Sequence, residues 1–156
     1  MGEELSARID RLESRHEIEA LVSNYCHGFD KRDFERFLSI WWQDCVWKIG
    51  PPFGDFSGHE GINEAIHQVL WPAWAQSQHV TSNLVIEFSG ADDATGMCDV
   101  DCMGLLTDST EATFVGATYK DRFQRREGSW KILEREVSIH YFNPFPGTTL
   151  SAPEGE

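Results

Sequence analysis

The texture of the chain changes at Pro72, and that change restricts the fold more than any other feature. Before it, apolar residues recur at three- and four-residue steps: Leu5, Ile9 and Leu12, then Ile18, Leu21, Val22 and Tyr25. Such spacing lays one apolar stripe along a helix. After it come four segments rich in Val, Ile, Thr, Phe or Tyr, at residues 78–88, 95–106, 112–125 and 130–142. Polar breaks separate them, and the last, Arg126-Glu127-Gly128-Ser129, is a hairpin signal. Helices first and meandering strands afterwards predict an α+β domain with helices packed on one face of an antiparallel sheet.

The helical half divides further. Gly28 is a stop for a first helix over residues 5–27. Asp30 or Asp33 then caps a second helix that runs to Trp41. A short strand is expected over residues 43–49, followed by a loop at Gly50, Pro51, Pro52 and Gly54. Ser57 and Glu60 have the spacing of a capping box and open a third helix ending near Trp71-Pro72. One domain over residues 1–142 is expected. An irregular tail at 143–156, with Pro144, Pro146 and Pro153, completes the chain.

Thirteen Lys and Arg face 26 Asp and Glu, a formal net charge of −13. Such a field repels phosphate backbones and anionic membrane surfaces, so neither nucleic acid nor membrane is an expected partner. Six Trp and ten Phe in 156 residues predict a core, or a cavity, walled by large rings. A small hydrophobic substrate suits that wall. No apolar run reaches the length of a bilayer. The opening residues 1–15 are charged rather than signal-like, and none of the four cysteines forms a C-x-x-C pair. Free, buried thiols in a reducing cytoplasm follow from that usage.

Four polar side chains are candidates for chemistry. On the last strand, Lys131, Leu133, Arg135, Val137, Ile139 and Tyr141 share one face by period two. That face is the more apolar, so Arg135 points inward and needs acceptors there. A carboxylate or the electronegative edge of a substrate would serve equally. Asp30 follows the Gly28 break; with Asp33 it is also an ordinary helix start. His79 stands at the mouth of a strand, grouped by alternation with Thr81, Asn83 and Val85, which is not the most apolar face. Tyr25 lies on the apolar stripe of the first helix, where plain core packing is the competing reading. Phe34, Trp42, Trp71 and Tyr141 are candidates for lining a pocket. His59-Glu60 lacks the second histidine of a zinc helix, and Cys98 with Cys102 lacks a second pair. Phosphate-loop and serine-elbow signatures are absent, so neither metal nor cofactor is expected.

Taken together, the residues resemble the SnoaL-like branch of the nuclear-transport-factor-2-like superfamily. The resemblance rests on Asp30-Lys31-Arg32, Ser39-Ile40-Trp41-Trp42, Asp44, Trp47, Leu70-Trp71-Pro72, His79, Asn83-Leu84, Glu87-Phe88, Arg125-Arg126, Gly128, Trp130-Lys131, Arg135 and Tyr141-Phe142. This text is similar to that of the hexachlorocyclohexane dehydrochlorinases. The resemblance implies a cone-shaped fold, a dimer or trimer, and an Asp–His dyad at Asp30 and His79 with a cavity arginine at Arg135. One position departs from it: those dehydrochlorinases carry a lysine where this chain has Tyr25. The Tyr/Asp/His set is similar instead to the bile-acid 7-dehydratase pattern, and more distantly to scytalone dehydratase.

The expected function is therefore a cofactor-free lyase. His79 takes a proton from carbon, Asp30 orients its ring, and Tyr25 and Arg135 stabilise the departing group. A phenol suits hydroxyl or carbonyl chemistry, which ranks dehydration of a hydrophobic cyclic alcohol, steroid or polyketide, ahead of dehydrochlorination. An isomerase using the same base, and a non-catalytic binding or assembly domain, are the alternatives.

Overall fold

A computed structural model describes residues 2–151. Helix α1 (Gly2–Asp30) is followed by α2 (Phe34–Ser39), strand β1 (Trp41–Gly50) and strand β2 (Gly54–Ser57). Helix α3 (Gly58–Glu64) continues through a π-helical turn (Ala65–Leu70) into the single turn α4 (Trp71–Ala73). Four long strands complete the chain: β3 (Trp74–Phe88), β4 (Asp93–Leu106), β5 (Ala112–Arg126) and β6 (Ser129–Phe145). They form one six-stranded sheet in the order β2-β1-β6-β5-β4-β3, curved and unclosed. The α+β class is as expected. The sheet is mixed rather than antiparallel, because β1 runs parallel to β6. Strand β2 lies where a loop was expected.

Gly28 is not a helix stop. Helix α1 runs on to Asp30, and a Cβ on Gly28 would lie 2.8 Å from the backbone nitrogen of Phe37. The glycine therefore lets α2 fold tightly back across α1. The turn itself is made by Arg32, whose φ of 58° is left-handed. Asp33 caps α2 by accepting a hydrogen bond from the Arg36 backbone N–H at 3.1 Å. Trp41 already belongs to β1, so α2 is shorter than expected. Ser57 occupies the N-cap of α3 but makes no capping hydrogen bond, and the capping box does not form.

The long strands change faces at bulges. Leu133 is the extra residue where Arg122 pairs with Glu134 but Phe123 pairs with Ile132. His140 is the extra residue where Ala117 pairs with Ile139 but Gly116 pairs with Tyr141. Trp130 and Ile132 thus face inward first, then Arg135, Val137 and Ile139, and then Phe142. Strict alternation had placed Lys131 and Leu133 on the Arg135 face. A third irregularity lies between Ser82 and Val85, with Asn83 at a φ of 56°. It leaves Ser77, His79 and Thr81 on the inner side before it, and Leu84, Ile86 and Phe88 after it. Curvature of this kind is what bulges supply.

The hairpin between β5 and β6 turns through Glu127 and Gly128, both at positive φ, as its sequence signal predicted. Strand β6 continues to Phe145, three residues past the expected domain edge. Beyond it the Ala112 N–H donates to the Thr148 carbonyl at 2.8 Å. Residues 152–156, with Pro153, lie outside the described residues.

Two effects oppose each other at Gly28. Helix propensity favours alanine there by about 1 kcal/mol. The contact with Phe37 backbone atoms disfavours any Cβ by roughly 1–3 kcal/mol. Backbone atoms cannot rotate away, so Gly28→Ala is expected to lower the denaturant midpoint. An unchanged or raised midpoint would show that α2 yields.

Candidate functional site

The site begins where α1 ends. Asp30, the last residue of the helix, meets the start of β3. Its Oδ1 accepts hydrogen bonds from the Ser77 hydroxyl and from His79 Nδ1, both at 2.7 Å. Its Oδ2 accepts the backbone N–H of His79 at 2.7 Å. Burial alone would raise the carboxyl pKa, but the hydrogen bonds and charge of His79, with Ser77, outweigh it and hold the value below the ordinary range. Asp30 is therefore a carboxylate and can only accept. It follows that Nδ1 of His79 carries a hydrogen, so in the neutral ring the lone pair lies on Nε2.

A second set of contacts fixes this junction. Arg32 donates from Nη1 to the Trp71 carbonyl at 3.0 Å and from Nη2 to the Trp74 carbonyl. Trp71 returns a hydrogen bond from Nε1 to the Phe29 carbonyl at 3.1 Å. The end of α1 is thereby tied to α4 and to the first residue of β3 on both sides of Asp30.

His79 and Tyr25 both line a cavity of ≈80 Å3 between the helices and the concave face of the sheet. Its other walls include Phe29, Trp47, Trp74, Val115, Ile139 and Phe142. The Phe29 and His79 ring centroids are 5.0 Å apart, and those of Tyr25 and His79 are 6.3 Å apart at 88°. Three of the four predicted polar residues, Tyr25, Asp30 and His79, are therefore brought together.

Arg135 sits behind that wall, not in it. It is fully buried and donates through Nε and Nη2 to the two carboxylate oxygens of Asp121, each at 2.7 Å. Its guanidinium carbon lies 4.2 Å from the ring centroid of Tyr25 and 4.3 Å from that of Tyr119. The inward direction matches the sequence reading, and the acceptor is a carboxylate of the chain itself. Burial alone would favour the neutral form, but the Asp121 charge and hydrogen bonds prevail and hold Arg135 protonated.

The four candidate lining residues lie elsewhere. Trp41 and Trp42 are neighbours on a strand and face opposite ways, so Trp41 enters the core while Trp42 donates from Nε1 to the Gln124 carbonyl. Phe34 and Trp71 pack on the His67 ring at 4.5 and 5.2 Å, outside the cavity. The bulge at His140 turns Tyr141 to the convex face, where it is 44% exposed and donates to Asp101 at 2.9 Å. Phe142 takes its place on the wall.

Tyr119 and Asp121 escaped the sequence reading. Their signal was present: Ala117, Tyr119, Asp121 and Phe123 are buried while Lys120 and Arg122 between them are exposed. Burial pushes the Tyr25 and Tyr119 phenols well above their ordinary values, and the Arg135 charge reverses only part of that shift. Both remain protonated donors. Cys102 also lines the cavity, but burial pushes its thiol up to about 12, so it is no nucleophile near neutral pH. Among the described residues, no group of three or more His, Cys, Asp or Glu is placed to hold a metal ion. No helix among them is long and apolar enough to cross a membrane.

Two stability effects are expected. The folded Asp30 carboxyl binds its proton less tightly than the unfolded chain, whose value is 3.8. Its contribution is complete above that value and is lost as pH falls through the lower folded value. The stability gap between the native protein and Asp30→Asn should therefore narrow in acid-unfolding curves as pH falls from about 5 through the ordinary carboxylate value and below it. Asp121→Ala leaves Arg135 charged, buried and unpaired, which should cost about 3–5 kcal/mol in denaturant unfolding. A loss below about 1 kcal/mol would mean that the pair counts no more than a surface one.

The SnoaL-like domain model matches residues 10–136. Over 145 residues the chain is 37% identical to hexachlorocyclohexane dehydrochlorinase 1 of Sphingobium indicum, covering 93% of this chain and 94% of that one. The crystal structure of LinA superposes with a TM-score of 0.91 at 35% identity, covering 94% of this chain and 99% of the other. Hexachlorocyclohexane dehydrochlorinase LinA-type3 from Novosphingobium barchaimii LL02 gives 0.89 at 36% identity, with coverage of 94% and 99%. The chain belongs to the SnoaL-like domain family and is a close homologue of these dehydrochlorinases.

Proposed function

We propose that this chain is a cofactor-independent lyase that removes HX from adjacent carbons of a small hydrophobic ring, with chloride as the favoured leaving group. The observation that carries the proposal is the 2.7 Å hydrogen bond between His79 Nδ1 and Asp30 on the wall of an apolar cavity. The relatives named as dehydrochlorinases favour halide over the hydroxyl that the sequence alone ranked first.

In the proposed reaction, His79 Nε2 takes the proton from one carbon. The electrons of that C–H bond form the new C=C bond. The C–X bond breaks, and X leaves as an anion with its electron pair. His79 is then an imidazolium, stabilised by Asp30, and later gives the proton to water. Tyr25 donates a hydrogen bond to the departing atom. Arg135 contributes positive potential from behind the ring, partly offset by Asp121.

The size of the cavity supports a compact ring. At ≈80 Å3 it is smaller than the ~150 Å3 hollow that admits a benzene ring. A monocycle needs a modest outward shift of the walls, whereas a tetracyclic skeleton needs the site rebuilt. Dehydration of a small cyclic alcohol is the second reading. It is favoured by Tyr25, a neutral donor where the dehydrochlorinase pattern carries a lysine.

Incubation with chlorinated cyclohexanes and cyclic alcohols, followed by mass spectrometry, separates the readings. Loss of HCl supports the first and loss of water the second. An unchanged formula with a shifted double bond marks an isomerase. Saturable binding with no turnover of any compound marks a scaffold. On a substrate that turns over, His79→Ala should lower kcat/KM by ~10²–10⁴, the usual contribution of a general base. Asp30→Asn should also depress kcat. Retention of more than about a tenth of the native rate in His79→Ala would remove the imidazole from the mechanism.

A further inference from the structure

One corner of the cavity is rich in hydrogen-bond donors. Tyr25 and Tyr119 line it side by side, with ring centroids 5.4 Å apart. Trp47 also lines it, 5.9 Å from Tyr25 between centroids and opposite Arg135 in the β1–β6 register. Trp47 Nε1 and Arg135 Nη1 are buried and have no hydrogen-bond partner among the described residues. Buried donors without acceptors each cost about 1–3 kcal/mol, so such a cluster favours a ligand that brings an acceptor with it.

We propose that Tyr119 is a second substrate-contacting phenol, and that with Tyr25 it forms a two-donor site for one acceptor atom on a neutral ring. The acceptor is a halogen, a hydroxyl oxygen or a carbonyl oxygen. A carboxylate or phosphate does not suit the corner. The Arg135 charge is largely offset by Asp121 in bidentate contact, both phenols are neutral donors, and the Asp30 carboxylate is hydrogen-bonded to His79, which lines the cavity. The chain as a whole carries a formal −13. A permanently charged ligand would gain little net opposite charge there while losing its hydration.

This inference rests on the cavity being the substrate site of the proposed lyase and adds a residue and a ligand class to it. The test uses binding rather than turnover, so the two can fail separately. Ligand-observed NMR titrations would compare cyclohexanone, methylenecyclohexane and cyclohexanecarboxylate. The first two share a shape and differ in the acceptor oxygen. The native protein should prefer cyclohexanone to methylenecyclohexane by roughly tenfold, two neutral hydrogen bonds being in play. Cyclohexanecarboxylate should bind more weakly than either.

Tyr119→Phe keeps the ring on which Arg135 packs and removes only the hydroxyl. It should cut the cyclohexanone preference by roughly threefold and leave methylenecyclohexane affinity unchanged. The double variant Tyr25→Phe/Tyr119→Phe should bring the preference close to one. A full native preference in Tyr119→Phe would overturn the proposal. So would an equal loss of affinity for both neutral probes, which would make Tyr119 a packing residue only. Tighter binding of cyclohexanecarboxylate than of cyclohexanone would overturn the ligand class. Absence of elimination on chlorinated cyclohexanes bears on the lyase reading and leaves these binding ratios standing.

Discussion

The Asp30 carboxylate at the end of α1 is the contact on which the arrangement of the site depends. A carboxylate this far from water costs several kcal/mol unless donors surround it. Here three donors do so, and all three belong to the first residues of β3. One of them is a main-chain N–H, so the helix end is matched to the course of the strand as well as to a side chain. The imidazole inherits its tautomer and its direction from the same carboxylate. Arg32 and Trp71 close the joint on either side, which limits how far the helix end can drift from the strand.

The second buried charge pair is of another kind. Arg135 and Asp121 lie on neighbouring strands at paired positions, and both are almost wholly withdrawn from solvent. Such a pair is seldom a net source of stability, because desolvation consumes most of the attraction. Its value in this molecule is placement. The guanidinium carbon stands over both tyrosine rings, 4.2 Å from one centroid and 4.3 Å from the other. An aliphatic pair of similar volume would fill the space without orienting either phenol.

The class of fold was legible at Pro72, because helix and strand periods differ and the chain uses each in one block. The hairpin at Glu127-Gly128 was legible for the same local reason, since its backbone needs positive φ. Tyr25, Asp30 and His79 were recovered together through resemblance rather than pattern. Each alone has an ordinary structural explanation. What could not be read was the phase of the strands. Alternation placed Tyr141 inside and Leu133 beside Arg135; both placements fail at a bulge. Gly28 was misread because a glycine that ends a helix and a glycine that admits a neighbouring backbone look alike in sequence. Asp121 and Tyr119 had a usable signal in the flanking Lys120 and Arg122.

Strand β6 swaps sides at Leu133 and again at His140, and Arg135, Val137 and Ile139 occupy the interval between. An insertion or deletion within that interval would turn part of it inside out while the flanking stretches kept their orientation. A replacement would not. The inner surface of this protein can thus drift in chemistry far more readily than in length, which suits a scaffold whose pocket is retuned one side chain at a time.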